Sequence, residues 1–418
     1  MNRLAAAAVA LATVAACGGG SSKSTPPPPP PPPPEPVVVT RFEAASTLIG
    51  QPSWSTVPSA TTNACAAGSL FQPYGAAAWD GTHLIVPDSG SGRLLLFDPM
   101  PPAAAVMPSA TRQIGEPTLG TDLTTCGDAL STLFVPQAPT VFGGRLVVAD
   151  SGFHQVFVYP GVPTDPLSTT GRVEVGSPLT PGCSAIELND PRGALLAGVV
   201  LVVADTGNNR VLFFEPDAHD LSKYVLTIVL GQVDATVCLD NRGGTAPAAD
   251  TLLQPKAVWT DGTRLIVADS GNNRLLVWNT FPTASGQAAD AVLGQGTGAD
   301  RFTTAAHGAA ADQLWDPESI ASDGTQLFVA DTGNNRVLVY PTIPATSGAA
   351  ATIVLGQADF GCSFPNDDGN GTTCNGVAGT APTQRTLDAP TGVSVVGGLL
   401  SVTDTGNGRL LVYRPTAP

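Results

Sequence analysis

Cysteines are the residues of this sequence whose type and number most directly suggest a chemistry. Six of the seven lie beyond residue 40, and they are Cys65, Cys126, Cys183, Cys238, Cys362 and Cys374. Zinc binding is one use of thiols, but the sequence has no Cys-x-x-Cys pair and no histidine at ligand spacing from a cysteine. An even number of cysteines in an exported chain favours disulfides. We expect Cys362 to pair with Cys374, and the pairing of the other four stays open.

Histidines and one run of oxygen-bearing side chains are the other candidate metal ligands. The four histidines, His83, His154, His219 and His307, recur at no common position. Three of them are therefore not expected to converge on one zinc ion. Residues 366–370, Asn-Asp-Asp-Gly-Asn, carry the oxygen ligands that calcium prefers but lack EF-hand spacing. We predict no metal site and no cofactor, with calcium at this run as the alternative.

The first forty residues predict export and a lipid anchor. Arg3 precedes an apolar stretch over residues 4–16, which is too short to span a bilayer. The sequence Val-Ala-Ala-Cys ending at Cys17 resembles a bacterial lipobox, so residues 1–16 are predicted as a signal peptide and Cys17 as the lipidated residue. Residues 17–40 form a Gly/Ser/Pro-rich tether, with nine consecutive prolines at 26–34. An ordinary secretory signal is the alternative.

This anchor predicts a location in the bacterial cell envelope, with the membrane contacted through the lipid on Cys17 only. Gly18 stands where an aspartate is linked to inner-membrane retention, which favours the outer membrane or cell surface. The chain carries 19 basic and 34 acidic residues, a net charge of −15, and a basic face for phosphate contacts is not expected. Nucleic acid is therefore excluded as a partner.

Internal repeats organise the rest of the chain. An aspartate that ends an apolar run and precedes a Thr/Ser-Gly turn occurs six times, at Asp88, Asp150, Asp205, Asp269, Asp331 and Asp404. A proline lies 14 residues before each aspartate, or 15 in the first copy, and we call it the module proline. A third landmark is an apolar run ending in Gly, as in residues 228–232, Ile-Val-Leu-Gly-Gln. Each copy therefore predicts four strands, a to d, with turns between them.

Six such units predict an all-β fold, a six-bladed β-propeller of four-stranded antiparallel blades over residues 41–418. The sixth copy ends without a d strand, whereas residues 46–51 form an orphan d strand before the first copy. Pairing residues 47–50 with 410–413 would close the ring, so that an N-terminal strand completes the last blade. Closure removes the exposed strand edges of an open array.

Residues 330–340, Ala-Asp-Thr-Gly-Asn-Asn-Arg-Val-Leu-Val-Tyr, resemble the NHL repeat, which belongs to a family of six-bladed propellers. The likeness covers roughly residues 45–414. It is weaker in copy one, which has Ser91 and Gly92, and weakest in copy two, which has Phe-His-Gln at residues 153–155 in place of Asn-Asn-Arg. Six-bladed relatives include a zinc-dependent amidating lyase and metal-dependent lactonases. Some animal NHL propellers bind RNA on a basic face, which this acidic chain does not predict.

Repetition indicates a structural role for the charged turn residues, because a catalytic group is needed only once. The arginines five residues after the aspartates are Arg93, Arg210, Arg274, Arg336 and Arg409. Each aspartate is expected to accept turn N–H bonds, and each arginine to neutralise an aspartate of its own or a neighbouring blade. Copy two has Gln155 instead, which leaves Asp150 without this partner and predicts a looser hairpin.

Function is expected where the copies differ. The d–a loops vary from 14 to 33 residues, and in an up-and-down blade they share one face with the b–c turns and all six cysteines. We call this the loop-rich face, and the face of the a–b and c–d connections the opposite face. The residue after each module proline should ring the channel mouth on the loop-rich face. These residues are Tyr74, Gln137, Arg192, Lys256, Glu318 and Thr391.

A mixed polar ring of this kind suits recognition of a polar ligand or a protein segment. We therefore expect a monomeric binding or scaffolding module for a protein or glycan at the loop-rich face, and a non-enzymatic role is favoured. The alternative is a metal-dependent propeller lyase or lactonase-type hydrolase with a metal on the axis.

Overall fold

Twenty-four β-strands form six antiparallel sheets of four strands each in the part of the chain that the structure describes. The structure is a computed structural model that describes residues 37–41, 43–56, 66–117, 132–220, 222–298, 301–367, 374 and 376–414. The chain divides into Met1–Pro33 and Pro34–Pro418, and the strands belong to the second unit. The predicted signal peptide, Cys17 and most of the tether lie outside the described residues and stay predictions.

The strands follow one another around the ring in chain order. The first, β1 (Thr47–Ile49), belongs to the last blade. Blade 1 contains β2 (Ala78–Trp79), β3 (Leu84–Asp88), β4 (Arg93–Phe97) and β5 (Arg112–Ile114). Blade 2 contains β6 (Pro136–Phe142), β7 (Arg145–Asp150), β8 (Gln155–Tyr159) and β9 (Val173–Val175). Blade 3 contains β10 (Pro191–Ala197), β11 (Val200–Asp205), β12 (Arg210–Pro216) and β13 (Tyr224–Leu230).

The other three blades repeat the same order. Blade 4 contains β14 (Pro255–Thr260), β15 (Leu265–Asp269), β16 (Arg274–Trp278) and β17 (Ala291–Leu293). Blade 5 contains β18 (Pro317–Ser322), β19 (Leu327–Asp331), β20 (Arg336–Tyr340) and β21 (Ile353–Leu355). Blade 6 contains β22 (Pro390–Val396), β23 (Leu399–Asp404) and β24 (Arg409–Tyr413), and β1 is its fourth strand.

The closing strand lies where the sequence predicts it. Thr47, Leu48 and Ile49 pair antiparallel with Val412, Leu411 and Leu410. The strand order of this sheet, β1-β24-β23-β22, joins the first described strand of the chain to the last three. The predicted six-bladed fold, its four-stranded antiparallel blades and its closure by an N-terminal strand are thus confirmed.

The hydrophobic core consists of layers between neighbouring blades. Six clusters of buried apolar side chains are present among the described residues, and each draws its members from two adjacent sheets. The b and c strands are buried on both faces, as in β15 and β16, because every sheet packs against a sheet on each side. This explains their continuous runs of Val, Leu, Ile and Phe, which a strand with one solvated face would not need.

Strand pairing explains the constant spacing of 14 residues between module proline and aspartate. The proline opens strand a, the aspartate ends strand b, and the two lie opposite each other, as in Pro255–Asp269 and Pro317–Asp331. In blades 3 to 6 a register shift follows the proline at once, for example between Pro317 and Ser319. Such a bulge leaves the next residue unpaired and changes the direction of its side chain. It therefore places that residue at the channel mouth.

Val37 is the first described residue, and it already contacts the propeller. The side chains of Val37 and Val39 lie in the buried layer between blades 5 and 6. The Val37 N–H donates to Asp323 Oδ2 at 2.9 Å, in the a–b turn of blade 5 on the opposite face. The Arg41 guanidinium donates to the carbonyl of Ala358, also in the blade 5 repeat. Among the described residues, no helix has the length and apolar character needed to cross a membrane.

Candidate functional site

The repeated aspartates and arginines form buried ion pairs within their own blades. In each of five blades the arginine Nε lies 2.6–2.7 Å from the aspartate Oδ2, and both side chains are 0–1% exposed. The pairs are Arg93–Asp88, Arg210–Asp205, Arg274–Asp269, Arg336–Asp331 and Arg409–Asp404. Burial raises the pKa of Asp88 and of Asp205 to about 6, although the arginine beside each favours the ionised form. These residues hold the blade together, as repetition predicts.

The second oxygen of these aspartates has a partner that the sequence did not suggest. In these five blades Oδ1 accepts the backbone N–H of the residue two positions before the module proline, at 2.6–2.7 Å. The predicted bond to a turn N–H is present at Asp150, which accepts from Phe153 at 3.1 Å. In blades 3 to 6 an asparagine side chain donates to the aspartate instead, as Asn334 does to Asp331. The aspartate therefore fixes the entry to strand a rather than the turn alone.

The Thr/Ser-Gly-Asn-Asn turn joins neighbouring blades. In five blades its first hydroxyl donates to the carbonyl of the next blade's module proline, at 2.5–2.8 Å. These bonds are Ser89 to Pro136, Thr206 to Pro255, Ser270 to Pro317, Thr332 to Pro390 and Thr405 to Pro73. The second asparagine, in left-handed backbone conformation, accepts the N–H of the residue before that proline. These bonds are Asn209 to Gln254, Asn273 to Asp316 and Asn335 to Ala389, at 2.7–2.9 Å.

Blade 2 lacks the Asn-Asn-Arg residues of this turn and uses other hydrogen bonds in their place. Asp150 is fully buried and accepts three backbone N–H groups, from Phe134, Val135 and Phe153. Burial raises the pKa of Asp150, and Gln155 stands where the other blades have an arginine. His154 adopts the left-handed conformation with φ 58°, and its Nδ1 accepts the N–H of Asp190 at 3.1 Å. His154 thereby makes the inter-blade hydrogen bond that the second asparagine makes in blades 3, 4 and 5.

Four of the six predicted ring residues form one network across the channel mouth. Lys256 Nζ lies 2.6 Å from Glu318 Oε1 and 2.7 Å from Asp316 Oδ1. The Tyr74 hydroxyl donates to the other oxygen of Glu318, which links blades 1, 4 and 5. Burial raises the pKa of Tyr74 and of Glu318, so the phenol stays a hydrogen-bond donor. Arg192 of blade 3 also donates to the Tyr74 hydroxyl.

The remaining two ring residues form hydrogen bonds outside this network. Gln137 donates from Nε2 to Ser151 Oγ at 2.7 Å, and its Oε1 has no hydrogen-bond partner among the described residues. Thr391 accepts the N–H of Gly75 at 3.0 Å. The residue before each module proline was not predicted as part of the ring, and this position supplies Asp190 and Asp316. Asp190 binds Arg192 Nε at 3.0 Å, and its position next to a module proline is the signal that could have identified it.

A cavity of about 840 Å³ opens on the loop-rich face over blades 6, 1 and 2. Its walls combine aromatic rings, amides and hydroxyls, supplied by Phe71, Tyr74 and Phe134, by Gln51, Gln72 and Gln137, and by Ser89, Ser151 and Thr405. Arg192 is the one charged residue among those that line it, and Asp190 already pairs with that guanidinium. The charged ring residues of blades 4 and 5, Lys256, Asp316 and Glu318, do not line it. The cavity is therefore suited to an uncharged ligand.

Two disulfides among the described residues lie on the loop-rich face and restrict its loops. Cys362 pairs with Cys374, as the sequence predicts, inside the longest d–a loop. Cys183 pairs with Cys238, which joins the d–a loops on either side of blade 3. Cys65 and Cys126 lie outside the described residues. The sequence could not select the Cys183–Cys238 pair because it requires the distance between two different loops.

Removing these disulfides is expected to destabilise the propeller in an order set by loop length. The double variant Cys183→Ala, Cys238→Ala should lose about 4 kcal/mol of unfolding free energy, because that bond spans 55 residues. The double variant Cys362→Ala, Cys374→Ala, whose bond spans 12 residues, should lose about 3 kcal/mol. Denaturant titration of both variants beside the wild type measures this order. An equal or reversed order would contradict the chain-entropy argument.

The candidate calcium run is only partly described. Asn366 donates from Nδ2 to Asn407 Oδ1 at 3.0 Å, so this side chain joins the longest loop to the b–c turn of blade 6. Residues 368–370 lie outside the described residues, and calcium at this run stays a hypothesis. Across the described ranges, no three His, Cys, Asp or Glu side chains converge as a metal-binding group.

Comparison with known proteins returned matches among solved structures. No family model matches the chain, and no curated protein does. An auxiliary nutrient binding protein from Bacteroides thetaiotaomicron is 10% identical with a TM-score of 0.45, over 82% of this chain and 69% of that chain. Streptogramin B lyase is 11% identical with a TM-score of 0.42, over 82% and 92%. Kuenenia stuttgartiensis hydrazine synthase is 12% identical with a TM-score of 0.42, over 84% and 97%. At these identities the likeness concerns the fold alone.

Proposed function

We propose that this chain is a lipid-anchored NHL-type propeller of the bacterial cell envelope that binds a protein or glycan at its loop-rich face without catalysing a reaction. The distribution of exposed apolar side chains carries the proposal. Thirteen large apolar residues are exposed among those described, and eight of them lie on d–a loops of the loop-rich face. They are Phe134, Leu179, Ile186, Val233, Leu239, Trp315, Phe364 and Val377. Apolar groups gathered on one face of a soluble domain are typical of an interaction surface.

The scaffold beneath these loops supports the same role. The charged ring residues neutralise each other across the channel mouth, and the disulfides reduce the freedom of three d–a loops. A partner therefore meets three loops whose conformational freedom is already reduced, which lowers the entropy lost on binding. The cavity over blades 6, 1 and 2 adds a concave polar and aromatic site beside the apolar loops.

Site-specific photo-crosslinking in the cell envelope tests this function. A photoreactive residue at position 186 replaces Ile186, which is 74% exposed on the d–a loop before blade 3. The matched control replaces Val199, which is 63% exposed in the a–b turn of the same blade. We expect one discrete adduct of defined mass from position 186 and none from position 199. Adducts from position 199 alone, or equal adducts from both positions, would place binding elsewhere and contradict the proposal.

A further inference from the structure

Five residues that precede module prolines adopt the left-handed conformation, with φ between 44° and 50°. They are Gln72, Asp190, Gln254, Asp316 and Ala389. Four of their N–H groups are held by a side chain of the preceding blade. Three are bound by the carboxamide oxygens of Asn209, Asn273 and Asn335, and the fourth by His154 Nδ1. The propeller thus has a repeated site that binds a carboxamide oxygen.

Gln72 is the exception among these five residues. The blade before it ends its b–c turn with Gly408, where blades 3, 4 and 5 have asparagine. Gly408 has φ 58° and ψ 40°, nearly the same as Asn335 with φ 54° and ψ 43°. The backbone is therefore in place and only the carboxamide group is missing. The Gln72 N–H has no hydrogen-bond partner within the part of the chain that the structure describes.

This unused donor belongs to the wall of the cavity. Gln72 and Gly408 both line it, and the hydroxyl of Thr405 in the same turn is already bonded to the Pro73 carbonyl. The other junction with a glycine at this position behaves differently. At the junction of blades 1 and 2, Gly92 occupies the position of the second asparagine. The N–H of Val135, the residue before the module proline of blade 2, donates to Asp150 Oδ1 at 3.0 Å. A ligand oxygen at the junction of blades 6 and 1 can thus take the position that an asparagine oxygen has elsewhere in the ring.

The remaining walls select the group that carries this oxygen. Phe71, Tyr74 and Phe134 provide aromatic surface, against which the C–H face of a pyranose ring packs. Gln137, Ser89 and Ser151 add an amide and two hydroxyls to the wall. We propose that the cavity binds an N-acetylhexosamine, with the acetamido oxygen accepting the N–H of Gln72. The inference rests on the proposed function, because it names a glycan as the ligand of the loop-rich face.

Calorimetric titration of the full chain with two disaccharides tests the acetamido group. Chitobiose, the β-1,4-linked disaccharide of N-acetylglucosamine, is the probe, and cellobiose has the same ring linkage without acetamido groups. One hydrogen bond to an otherwise unpaired donor should favour chitobiose by about tenfold in Kd. Equal affinity for the two sugars, or no binding of chitobiose, would overturn the proposal. Tighter binding of an asparagine-containing tripeptide would also overturn it, since a peptide would then be the source of the carboxamide.

The variant Gly408→Asn tests the position. Its side chain should bond the Gln72 N–H as the asparagines of other blades do, and so raise the melting temperature while weakening chitobiose at least tenfold. Gly398→Asn is the matched control, because Gly398 also has positive φ but lies in an a–b turn on the opposite face with no atom within 4 Å of an added Cβ. The control should bind chitobiose as the wild type does. Unchanged binding by a folded Gly408→Asn protein would refute the site, and the sugar comparison decides the matter if that variant does not fold.

The proposed function and this inference can fail separately. If chitobiose does not bind while position 186 still gives its adduct, the glycan assignment is wrong and binding at the loop-rich face stands. If chitobiose binds but position 186 gives no adduct, the cavity assignment stands and the apolar loops are not the partner's surface.

Discussion

Deletion of residues 41–51 is expected to abolish the cooperative unfolding of the propeller. The deletion removes β1, which supplies the fourth strand of blade 6. Leu48 belongs to the buried layer between blades 5 and 6, and Ile49 to the layer between blades 6 and 1. Both layers would be opened to water, and the edge of β24 would lose its partner. Far-ultraviolet circular dichroism and tryptophan fluorescence during a urea titration should give transitions that no longer coincide.

A graded variant separates the loss of packing from the loss of the strand. Leu48→Ala keeps the backbone pairing of β1 and removes one fully buried side chain, so it should cost about 3 kcal/mol. Its two probes should still report one transition, at a lower urea midpoint. If the deletion leaves the midpoint and cooperativity of the wild type unchanged, the propeller does not depend on its N-terminal strand.

Replacing Arg336 by methionine should destabilise the protein by about 3–5 kcal/mol. The guanidinium is fully buried and donates to Asp331 Oδ2 at 2.6 Å. It also donates to the carbonyls of Ala309, Phe360, Ala310 and Gln313. Its removal leaves a buried carboxylate without its cation and takes one donor from each of four carbonyls. Chemical denaturation at neutral pH measures the loss.

Blade 2 offers the matched control for this prediction. Gln155 occupies the position of the arginine, but Asp150 there is held by backbone N–H groups. Gln155→Met should therefore cost much less than Arg336→Met, because it removes no charge partner. Adding Asp331→Asn to Arg336→Met should recover part of the loss, since it removes the unpaired charge. Equal costs at the two positions would show that the ion pair contributes no more than the size of the side chain does.

The sequence predicts the blades well because their signals are local and repeated. The spacing of 14 residues between proline and aspartate follows from two residues that lie opposite each other in neighbouring strands, as at Pro317 and Asp331. The orphan strand was identifiable because residues 47–49 match a pattern that the sixth copy lacks. Both inferences need only strand periodicity and the requirement that the ring close.

The site is less predictable because its contacts cross the ring. Tyr74 and Glu318 are separated by 244 residues, and their hydrogen bond depends on the bulge that turns Glu318 toward the channel mouth. The left-handed conformation of Gln72 could not be predicted from the sequence either, because glutamine rarely adopts it and a following proline does not favour it. The departure at Gly408 was visible in the sequence, but its meaning required the hydrogen bonds of the other five junctions.

The attachment at Val37 has a mechanical consequence. Tension applied through the amino-terminal segment meets blade 5 first, at the bonds to Asp323 and Ala358, before it reaches β1. The pull is thereby shared between two blades, and the three-residue closing strand is shielded from being peeled off β24. A pull on this segment would therefore load the contacts of blade 5 before it could separate the closing strand from blade 6.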